Sequence, residues 1–339
     1  LSNMSPRIAI SVINDLYSDQ RVNRNCLAWH ERGYEIILIG RKYSDSQDLV
    51  RPYKTHRFKC IWNRGPLFYI EYQLRLWNFL RKNPVHVYMA NDLDTLLPNV
   101  FWSYARKLPL VYDSHEYFLG SPEIESRPIV KFLWSYLEKI CLPRVDFPIT
   151  VNGSIARQYH KEYGHSFDVI RNIPVKPPSG FLFESTEEKY RDTIRKKLSI
   201  PLNKMIWIIQ GAGINIDRGA EELLEAAISM KGEVLLLVVG SGDAIPNLKA
   251  KAKGHNGDFE FVRFIPRQNI DSLREYTFVS DIGFSLDKSK SKNYKWSLPN
   301  KIFDYWHAGI PVVASNVIEI SNLINQTGAG ILIEHVSSS

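Results

Sequence analysis

The sequence contains little cysteine and no long apolar run. Its three cysteines, Cys26, Cys60 and Cys141, lie far apart and form no Cys-x-x-Cys pair. This excludes a small disulfide-stapled fold and argues against a cysteine zinc site. No apolar stretch approaches the roughly 20 residues that a membrane-spanning helix needs, and no secretory signal pattern opens the chain. We therefore expect a cytoplasmic protein in a reducing compartment.

The charge is unevenly distributed along the 339 residues, a length that favours two domains. Of the net charge of +7, most lies in residues 1–165, which hold 22 Lys and Arg against 16 Asp and Glu. Such a surface suits a nucleic acid, an anionic membrane or an anionic substrate, and it equally suits an ordinary solvated surface. Because the cations are scattered and no nucleic-acid-binding module is present, we expect no nucleic-acid partner.

Short apolar runs alternate with amphipathic stretches in two successive series. Near-continuous apolar strands between helices predict parallel sheets covered on both faces, as in doubly wound α/β domains. The first helix is expected to stop at Gly33, the usual residue after a helix end. The predicted strands are 7–13, 34–39, 85–89, 108–112 and 147–151 in the first series and 204–210, 233–239, 259–264, 279–285, 311–315 and 330–333 in the second; the predicted helices include 21–32 and 221–230.

We predict an N-terminal domain over 4–170, a linker with a lead-in helix over 171–200, and a C-terminal domain over 201–339. The linker is marked by Pro174, Pro177 and Pro178, and the charged stretch after them predicts the helix. A closing helix would be expected after the last strand at 330–333, so we expect either a truncated C-terminal domain or a naturally short chain.

The most informative segment is 297–315, SLPNKIFDYWHAGIPVVAS. It predicts a polar loop, a helix, a stop at Gly309 and a buried strand. A helix N-terminus at the carboxyl edge of a parallel sheet favours a diphosphate, because free N–H groups and the helix dipole attract anions. Asn300 and Lys301 are expected at that N-terminus, and Asp304 could accept hydrogen bonds from a ribose. An ordinary helix with a solvated lysine and aspartate would show the same spacing.

This segment resembles the donor-site signature of glycosyltransferase family 4. The resemblance implies the GT-B fold, with two doubly wound Rossmann-like domains facing across a cleft. It also implies transfer of a sugar, with retention, from a nucleotide-diphosphate sugar such as a UDP- or GDP-sugar, in polysaccharide or glycolipid biosynthesis. Further matches extend over most of the chain: 19–22, 33–34, 91–97, 111–116, 169–174 and 210–226.

The same resemblance implies the roles of individual residues. Arg218 and Lys301 would bind the leaving diphosphate, where negative charge accumulates as the glycosidic bond breaks. His115 would contact the donor sugar near the reacting carbon, and these three form the candidate catalytic set. The candidate donor-binding residues are Gly211, Gly213, Arg218, Ile265, Ser297, Asn300, Lys301 and Asp304; the candidate acceptor-side residues are Asp19, Arg21, Asp92 and Glu116.

The chain departs from the family pattern at three places. Ala212 stands where the family often has an arginine, so Lys301 or Arg21 would supply that phosphate contact. Trp296 stands where the family has the first of two acids, so Ser297 or a backbone amide would contact the sugar hydroxyl instead. Residues 13–19 (INDLYSD) contain no glycine where the family commonly has a Gly-rich loop. We expect no metal and no cofactor, because cations and a helix N-terminus suffice to hold a diphosphate.

The acceptor is expected to be a carbohydrate or a lipid-linked molecule, with the first domain in peripheral contact with the anionic inner face of a membrane. Aromatic and basic side chains together suit the interfacial region of a bilayer. A helix packed on its sheet explains the same pattern. The residues concerned are Arg57, Lys59, Arg64, Arg75, Arg81, Lys82, Trp62, Phe68, Tyr69, Tyr72, Trp77 and Phe79.

Two other functions remain open on the sequence. A nucleotide-sugar epimerase with the same architecture would release nucleotide diphosphate and need no acceptor. A nucleotide-sugar-binding subunit with weakened catalysis would fit the departures at Trp296 and Ala212.

Overall fold

The chain forms two compact units, each built around one parallel sheet. In a computed structural model, residues 5–17, 19–44, 46–176, 188–230, 232–254, 261–288 and 292–337 are described. The units comprise Leu1–Asn172 and Ile173–Ser339. Pro177 and Pro178 of the predicted linker lie outside the described residues.

The N-terminal sheet has seven strands in the order β3-β2-β1-β4-β5-β6-β7, all paired in parallel. Its strands are β1 (Arg7–Asp15), β2 (Glu35–Arg41), β3 (Lys54–Phe58), β4 (Val87–Asn91), β5 (Leu110–Ser114), β6 (Phe147–Thr150) and β7 (Asp168–Val169). Its helices are α1 (Gln20–Glu31), α2 (Gly65–Lys82), α3 (Leu93–Arg106), α4 (Pro122–Glu125), α5 (Pro128–Cys141) and α6 (Gly153–Tyr163).

The C-terminal sheet has six parallel strands in the order β10-β9-β8-β11-β12-β13. Its strands are β8 (Met205–Gly211), β9 (Val234–Gly240), β10 (Val262–Ile265), β11 (Ile282–Ser285), β12 (Val312–Ser315) and β13 (Gly330–Ile333). Its helices are α7 (Glu188–Lys197), α8 (Ala220–Ser229), α9 (Ile245–Lys253), α10 (Ile270–Phe278), α11 (Lys292–Lys295), α12 (Asn300–His307) and α13 (Ile318–Thr327).

The two predicted doubly wound sheets are confirmed. Their interior strands coincide with the apolar runs of the sequence, because these strands are buried on both faces. The interior strand β9 (VLLLVVG) alternates its buried side chains between two clusters, one on each face of the sheet. The apolar pattern does not predict the two edge strands β3 and β7. In β3 (KTHRF) three of the five residues are exposed and in β7 both are, so neither has the apolar pattern of a buried strand.

Helix α2 packs two of its aromatic side chains against the sheet rather than exposing them. Phe68 and Tyr72 are buried, and the Tyr72 hydroxyl donates to the Val12 carbonyl at 2.6 Å. The prediction that these two rings face a bilayer is therefore wrong, because they cover the sheet. Within the described residues, no helix combines the length and apolar character required to cross a membrane.

Two glycines shape the carboxyl edge of the C-terminal sheet. Gly211 and Gly240 end the neighbouring strands β8 and β9 and lie opposite each other in the register. Gly240 has a φ of +138°, and a Cβ at this position would overlap the carbonyl of Gly211. Since the backbone of Gly211 occupies the space that a side chain at position 240 would need, the strand ends approach each other this closely only with glycine at 240.

We expect Gly240→Ala to destabilise the C-terminal unit by roughly 3 kcal/mol, because the added methyl group must displace backbone. Gly328→Ala is the matched control. That residue also has a positive φ, +66°, but open space surrounds it, so the expected cost is only about 1 kcal/mol of backbone strain. Urea denaturation of both variants measures the difference, and equal losses would contradict the close approach.

Candidate functional site

Three charged side chains converge at the carboxyl edge of the C-terminal sheet. Arg218 lies in the turn before α8, Asp287 follows β11 by two residues, and Lys301 is the second residue of α12. The fully buried Asp287 carboxylate has its Oδ1 atom 3.8 Å from Arg218 Nε. Its Oδ2 atom accepts a hydrogen bond from Ser297 Oγ at 3.1 Å. The sequence motif predicts Arg218, Lys301 and Ser297 as site residues but does not predict Asp287.

The electrostatics of this cluster leave it positively charged. Burial lowers the pKa of Lys301; the Asp287 carboxylate opposes this shift and the nearby Arg218 guanidinium adds to it. Two cations therefore share one carboxylate. Removing charges from water is unfavourable unless they are neutralised, so the cluster favours an additional anion.

Arg218 retains hydrogen-bonding capacity toward such an anion. Its Nε atom is buried and has no hydrogen-bond partner among the described residues. The guanidinium carbon lies 5.0 Å from the centre of the Tyr294 ring, which holds the planar group in place by a cation–π contact. A positioned guanidinium is well suited to phosphate oxygens, which it can bind with two parallel hydrogen bonds.

The N-terminus of α12 adds to the positive potential. Asn300 is its first residue, no side chain caps its N–H groups, and its first turn holds no acidic residue. The first N–H groups of a helix have no partner within the helix, so they and the helix dipole favour an anion. Lys301 lies in this first turn, as predicted from the motif.

The remaining candidate donor residues lie at strand ends or along α12. Gly211 ends β8 and Ile265 ends β10. A Cβ at Gly213 would meet no atom closer than Asn215 Nδ2 at 3.7 Å, so the protein itself leaves room there. Asp304 is half-buried, and its Oδ2 atom lies 3.4 Å from the side-chain amide of Gln210.

Asp287 could have been identified from its position. It follows the predicted strand 279–285, and the ligand sites of open α/β sheets lie at the carboxyl ends of strands. The sequence alone does not reveal that this carboxylate turns inward between Arg218 and Lys301, because spacing does not determine burial.

A second cluster surrounds His115 at the carboxyl edge of the N-terminal sheet. The imidazole Nδ1 atom lies 3.4 Å from Asp92 Oδ2, and Nε2 lies 3.4 Å from Asp113 Oδ2. Nε2 also lies 3.2 Å from Asn91 Oδ1. The backbone N–H of His115 donates to Asp92 Oδ1 at 2.8 Å. Both ring nitrogens thus face oxygen acceptors.

These neighbours keep His115 protonated at neutral pH. Burial alone would lower the pKa of the imidazole, but the Asp92 carboxylate and then Asp113 outweigh it and raise the pKa to about 9. Asp113 responds in the opposite sense: its pKa is lowered despite burial, because His115 and Arg21 stabilise its anion. His115 is therefore a cationic hydrogen-bond donor.

Two of the predicted acceptor-side residues make contacts within the N-terminal unit. Arg21 is buried and donates to Asp113 from Nε at 3.0 Å and from Nη2 at 2.5 Å, while Nη1 donates to the Ile170 carbonyl at 2.9 Å. Asp19 caps α1 by accepting from the Val22 N–H at 3.1 Å. Arg21 therefore holds Asp113 in place, and its guanidinium is buried and directed at these protein acceptors.

The other two acceptor-side candidates lie beside His115. Asp92 has a φ of +59°, an unusual conformation for a residue other than glycine, and it precedes α3. This conformation accompanies the two contacts of its carboxylate with His115. Glu116 is exposed, and its carbonyl accepts a hydrogen bond from Ser114 Oγ at 2.7 Å.

No group of three or more His, Cys, Asp or Glu side chains in the described ranges is placed to hold a metal ion. The three cysteines are free thiols.

Comparisons with known proteins match both units to sugar-transferring enzymes. Residues 20–174 match the model of Glycosyltransferase Family 4, and residues 211–338 match that of Glycosyl transferases group 1. A curated relative, the chitobiosyldiphosphodolichol beta-mannosyltransferase of Candida albicans, is 23% identical over 98% of this chain and 77% of its own length.

Two solved structures share the fold. HepE of Anabaena, in complex with UDP and glucose, has a TM-score of 0.73 at 15% identity, covering 98% of this chain and 87% of that one. A putative UDP-N-acetylglucosamine 2-epimerase from Listeria monocytogenes has a TM-score of 0.59 at 10% identity, covering 99% and 85%. With the two parallel sheets, these similarities confirm the predicted GT-B fold.

The protonated state of His115 predicts a pH-dependent contribution to stability. Its folded pKa of about 9 exceeds the ordinary value of 6.5. The contribution should therefore be fully present below about pH 6.5 and lost as the pH rises to about 9. The quantity to compare is the difference in free energy of unfolding between wild type and His115→Gln. We expect this difference to be larger at pH 6 than at pH 9.5, by on the order of 1–3 kcal/mol.

Urea denaturation of both proteins across this pH range measures the effect. A difference between wild type and variant that stays constant with pH would show that His115 is not held as a cation.

Proposed function

Because the chain belongs to glycosyltransferase family 4 and is a glycosyltransferase of the GT-B fold, we propose that its donor is a nucleotide-diphosphate sugar. The acceptor is a carbohydrate or a lipid-linked molecule of polysaccharide or glycolipid biosynthesis. One observation carries the donor assignment: Arg218 lies 3.8 Å from the buried Asp287 carboxylate, which also interacts electrostatically with Lys301 in the uncapped first turn of α12.

This cluster suits the chemistry of the leaving group. Negative charge develops on the diphosphate as the bond to the sugar carbon breaks, and positioned cations stabilise that charge without reorganising. Asp287 and Tyr294 hold Arg218, and α12 holds Lys301. Asp304 is proposed to accept hydrogen bonds from the ribose of the nucleotide. The UDP bound to HepE favours a UDP-sugar, with a GDP-sugar as the alternative.

We also propose that the transfer proceeds with retention at the sugar carbon. Inversion by direct displacement needs a general base to accept the proton of the acceptor hydroxyl. His115, whose pKa is raised to about 9, is protonated at neutral pH and is therefore not that base. The proposal of retention itself rests on the match to Glycosyltransferase Family 4, whose resemblance implies it. A cationic His115 instead suits a hydrogen-bond donor to the donor sugar.

The competing function is epimerisation of a nucleotide sugar, because the Listeria protein of the same fold is a putative epimerase. The two reactions differ in their products. Incubation with a radiolabelled UDP-sugar and a lipid or carbohydrate acceptor yields a labelled acceptor in the first case, and an epimerised sugar with no labelled acceptor in the second.

We predict that Lys301→Ala and Arg218→Ala each weaken binding of the nucleotide diphosphate by roughly 10- to 100-fold, since each removes one charge-assisted contact. Isothermal titration with UDP and with GDP measures the affinities. Lys251→Ala is the control, because Lys251 pairs with Glu225 on the surface of the same unit. Binding by both site variants at the strength of wild type would place the donor elsewhere.

The N-terminal unit carries an apolar face that supports peripheral contact with an anionic membrane. On α5, five large apolar side chains recur at helical spacing and are exposed. Helices normally bury such a stripe against a neighbour. The residues and their exposed fractions are Ile129 (78%), Phe132 (70%), Leu133 (60%), Tyr136 (60%) and Ile140 (39%).

Charge complementarity favours an anionic bilayer as the partner of α5. The acid on this helix, Glu138, is fully buried and accepts from the Tyr163 hydroxyl at 2.7 Å. The exposed part of the helix therefore presents Lys139 beside the apolar stripe. Apolar side chains that enter the headgroup region with flanking cations are the pattern of interfacial helices. We propose that α5, rather than the buried rings of α2, contacts the membrane.

We expect the double variant Phe132→Ser/Tyr136→Ser to bind anionic vesicles at least about 10-fold more weakly than wild type, because two inserted rings are lost. Co-sedimentation with phosphatidylglycerol vesicles at low and moderate salt measures binding, which should also fall as salt screens Lys139. Ile270→Ser, which removes an exposed side chain of the C-terminal unit, is the control. Vesicle binding that is absent in wild type, or equal in both proteins, would contradict the assignment.

A further inference from the structure

A cavity of about 590 Å³ in the N-terminal unit is lined mainly by polar and cationic residues. Its position follows from the sheet. Strands β2 and β3 are parallel neighbours, so Lys42 and Lys59 emerge side by side at their carboxyl ends, and the Lys42 N–H donates to the Phe58 carbonyl at 2.9 Å. Arg64, which precedes α2, contributes a third cation to the lining.

The cations of this cavity lack an anionic partner in the protein. Among the described residues, no carboxylate lies within ion-pair distance of Lys42, Lys59 or Arg64. The adjacent helix α2 begins without a side-chain cap and without an acidic residue in its first turn. The uncapped N–H groups therefore add to the positive potential beside the lining.

Arg41 provides the strongest indication of a missing anion. It is 3% exposed, and its guanidinium donates to neutral acceptors, including Asn63 Oδ1 at 2.7 Å. It also lies 4.2 Å from the ring centre of Tyr43 and 4.0 Å from that of Phe68. The described residues place no carboxylate within ion-pair distance of this buried charge. Buried charges are normally paired, so an anion in the adjoining cavity would compensate Arg41 while Tyr43 and Asn63 hold the wall in place.

The acids of this region are occupied by other groups. Glu71 accepts from the N–H groups of Ile61 and Trp62 and pairs with Arg75. Asp15 accepts from the hydroxyl of Ser46. The cavity therefore keeps an excess of positive charge.

Exposed apolar side chains lie within a few residues of the lining residues along the chain, and we call them the apolar border of the cavity. Ile61 and Trp62 lie in the loop before α2, and Leu67 and Ile70 lie on its first turns, all with more than 40% of their surface exposed. A ligand with an anionic group in the cavity and an apolar chain along this border would satisfy both features. A free inorganic anion would use only the first.

The cavity also lies at the edge of the sheet that carries His115. The strand order places β2 three strands from β5, which is roughly 14 Å at about 4.8 Å per strand. A molecule that reached from the cavity to His115 would have its anionic group well separated from its reacting hydroxyl.

We propose that this cavity binds the phosphate or diphosphate of the acceptor, and that the acceptor carries an apolar chain on that group. The assignment rests on the proposed function, because it treats the molecule bound here as the acceptor of sugar transfer. Lys42, Lys59 and Arg64 bind the anionic group, and the apolar border contacts the chain.

The cavity contains a built-in reporter, because Cys60 lines it and is half-buried. The other two cysteines, Cys26 and Cys141, are fully buried. Maleimide labelling of the native protein, followed by peptide mass spectrometry, therefore reports on the cavity. The probes are geranyl diphosphate, inorganic pyrophosphate and phosphatidylglycerol vesicles, each with saturating UDP present so that the donor site is occupied.

We expect geranyl diphosphate to slow labelling of Cys60 at lower concentration than pyrophosphate does. In Lys59→Gln/Arg64→Gln the half-protecting concentration should rise at least roughly 10-fold, because two charge-assisted contacts are lost. Lys54→Gln, at the opposite end of β3 and paired with Glu35, should behave like wild type.

Three results would overturn the proposal. They are no protection of wild type by geranyl diphosphate, equal protection of wild type and Lys59→Gln/Arg64→Gln, and stronger protection by pyrophosphate or by vesicles alone than by geranyl diphosphate. The donor-site assignment and the cavity assignment can fail separately. If wild type binds nucleotide diphosphate but geranyl diphosphate does not protect its Cys60, the cavity assignment alone is rejected. Protected Cys60 in a protein that binds no nucleotide diphosphate would reject the donor assignment alone.

Discussion

A carboxylate buried at the carboxyl edge of a parallel sheet must be matched by positive charge, and this constraint organises the candidate sites in both units. In the N-terminal unit Asp113 is matched by Arg21 and His115. In the C-terminal unit Asp287 faces Arg218 and interacts electrostatically with Lys301. The same electrostatic rule thus gives a cationic histidine in one unit and a pair of ligand-facing cations in the other.

The two carboxylates differ in how completely they are satisfied. Asp113 receives two close hydrogen bonds from Arg21, so that guanidinium has an interior role. Asp287 lies 3.8 Å from Arg218, and its Oδ1 atom has no hydrogen-bond partner in the described part of the chain. The looser pairing leaves Arg218 able to bind a second anion. In the cavity beside Arg41 the described residues provide no such carboxylate, so an anionic ligand would be the partner of these cations.

Prediction from the sequence succeeded where one local signal was sufficient. The apolar runs located the central strands, and the 297–315 motif located α12, with Lys301 in its first turn. It failed at the edge strand β3, whose exposed polar residues carry no such signal. It also failed at Phe68 and Tyr72, because a mixture of basic and aromatic residues does not indicate which rings face the sheet.

The sequence by itself determined the family, the alternation of strands and helices, and the presence of cations near helix starts, because these depend on neighbours in the chain. Only the tertiary structure decided which charges meet. Arg21 and Asp113 are 92 residues apart in the chain yet form a buried ion pair. Lys42 and Lys59 share a cavity because β2 and β3 are adjacent. Burial and pairing set the protonation of His115 and the availability of Arg218, and both arise from contacts that chain spacing does not encode.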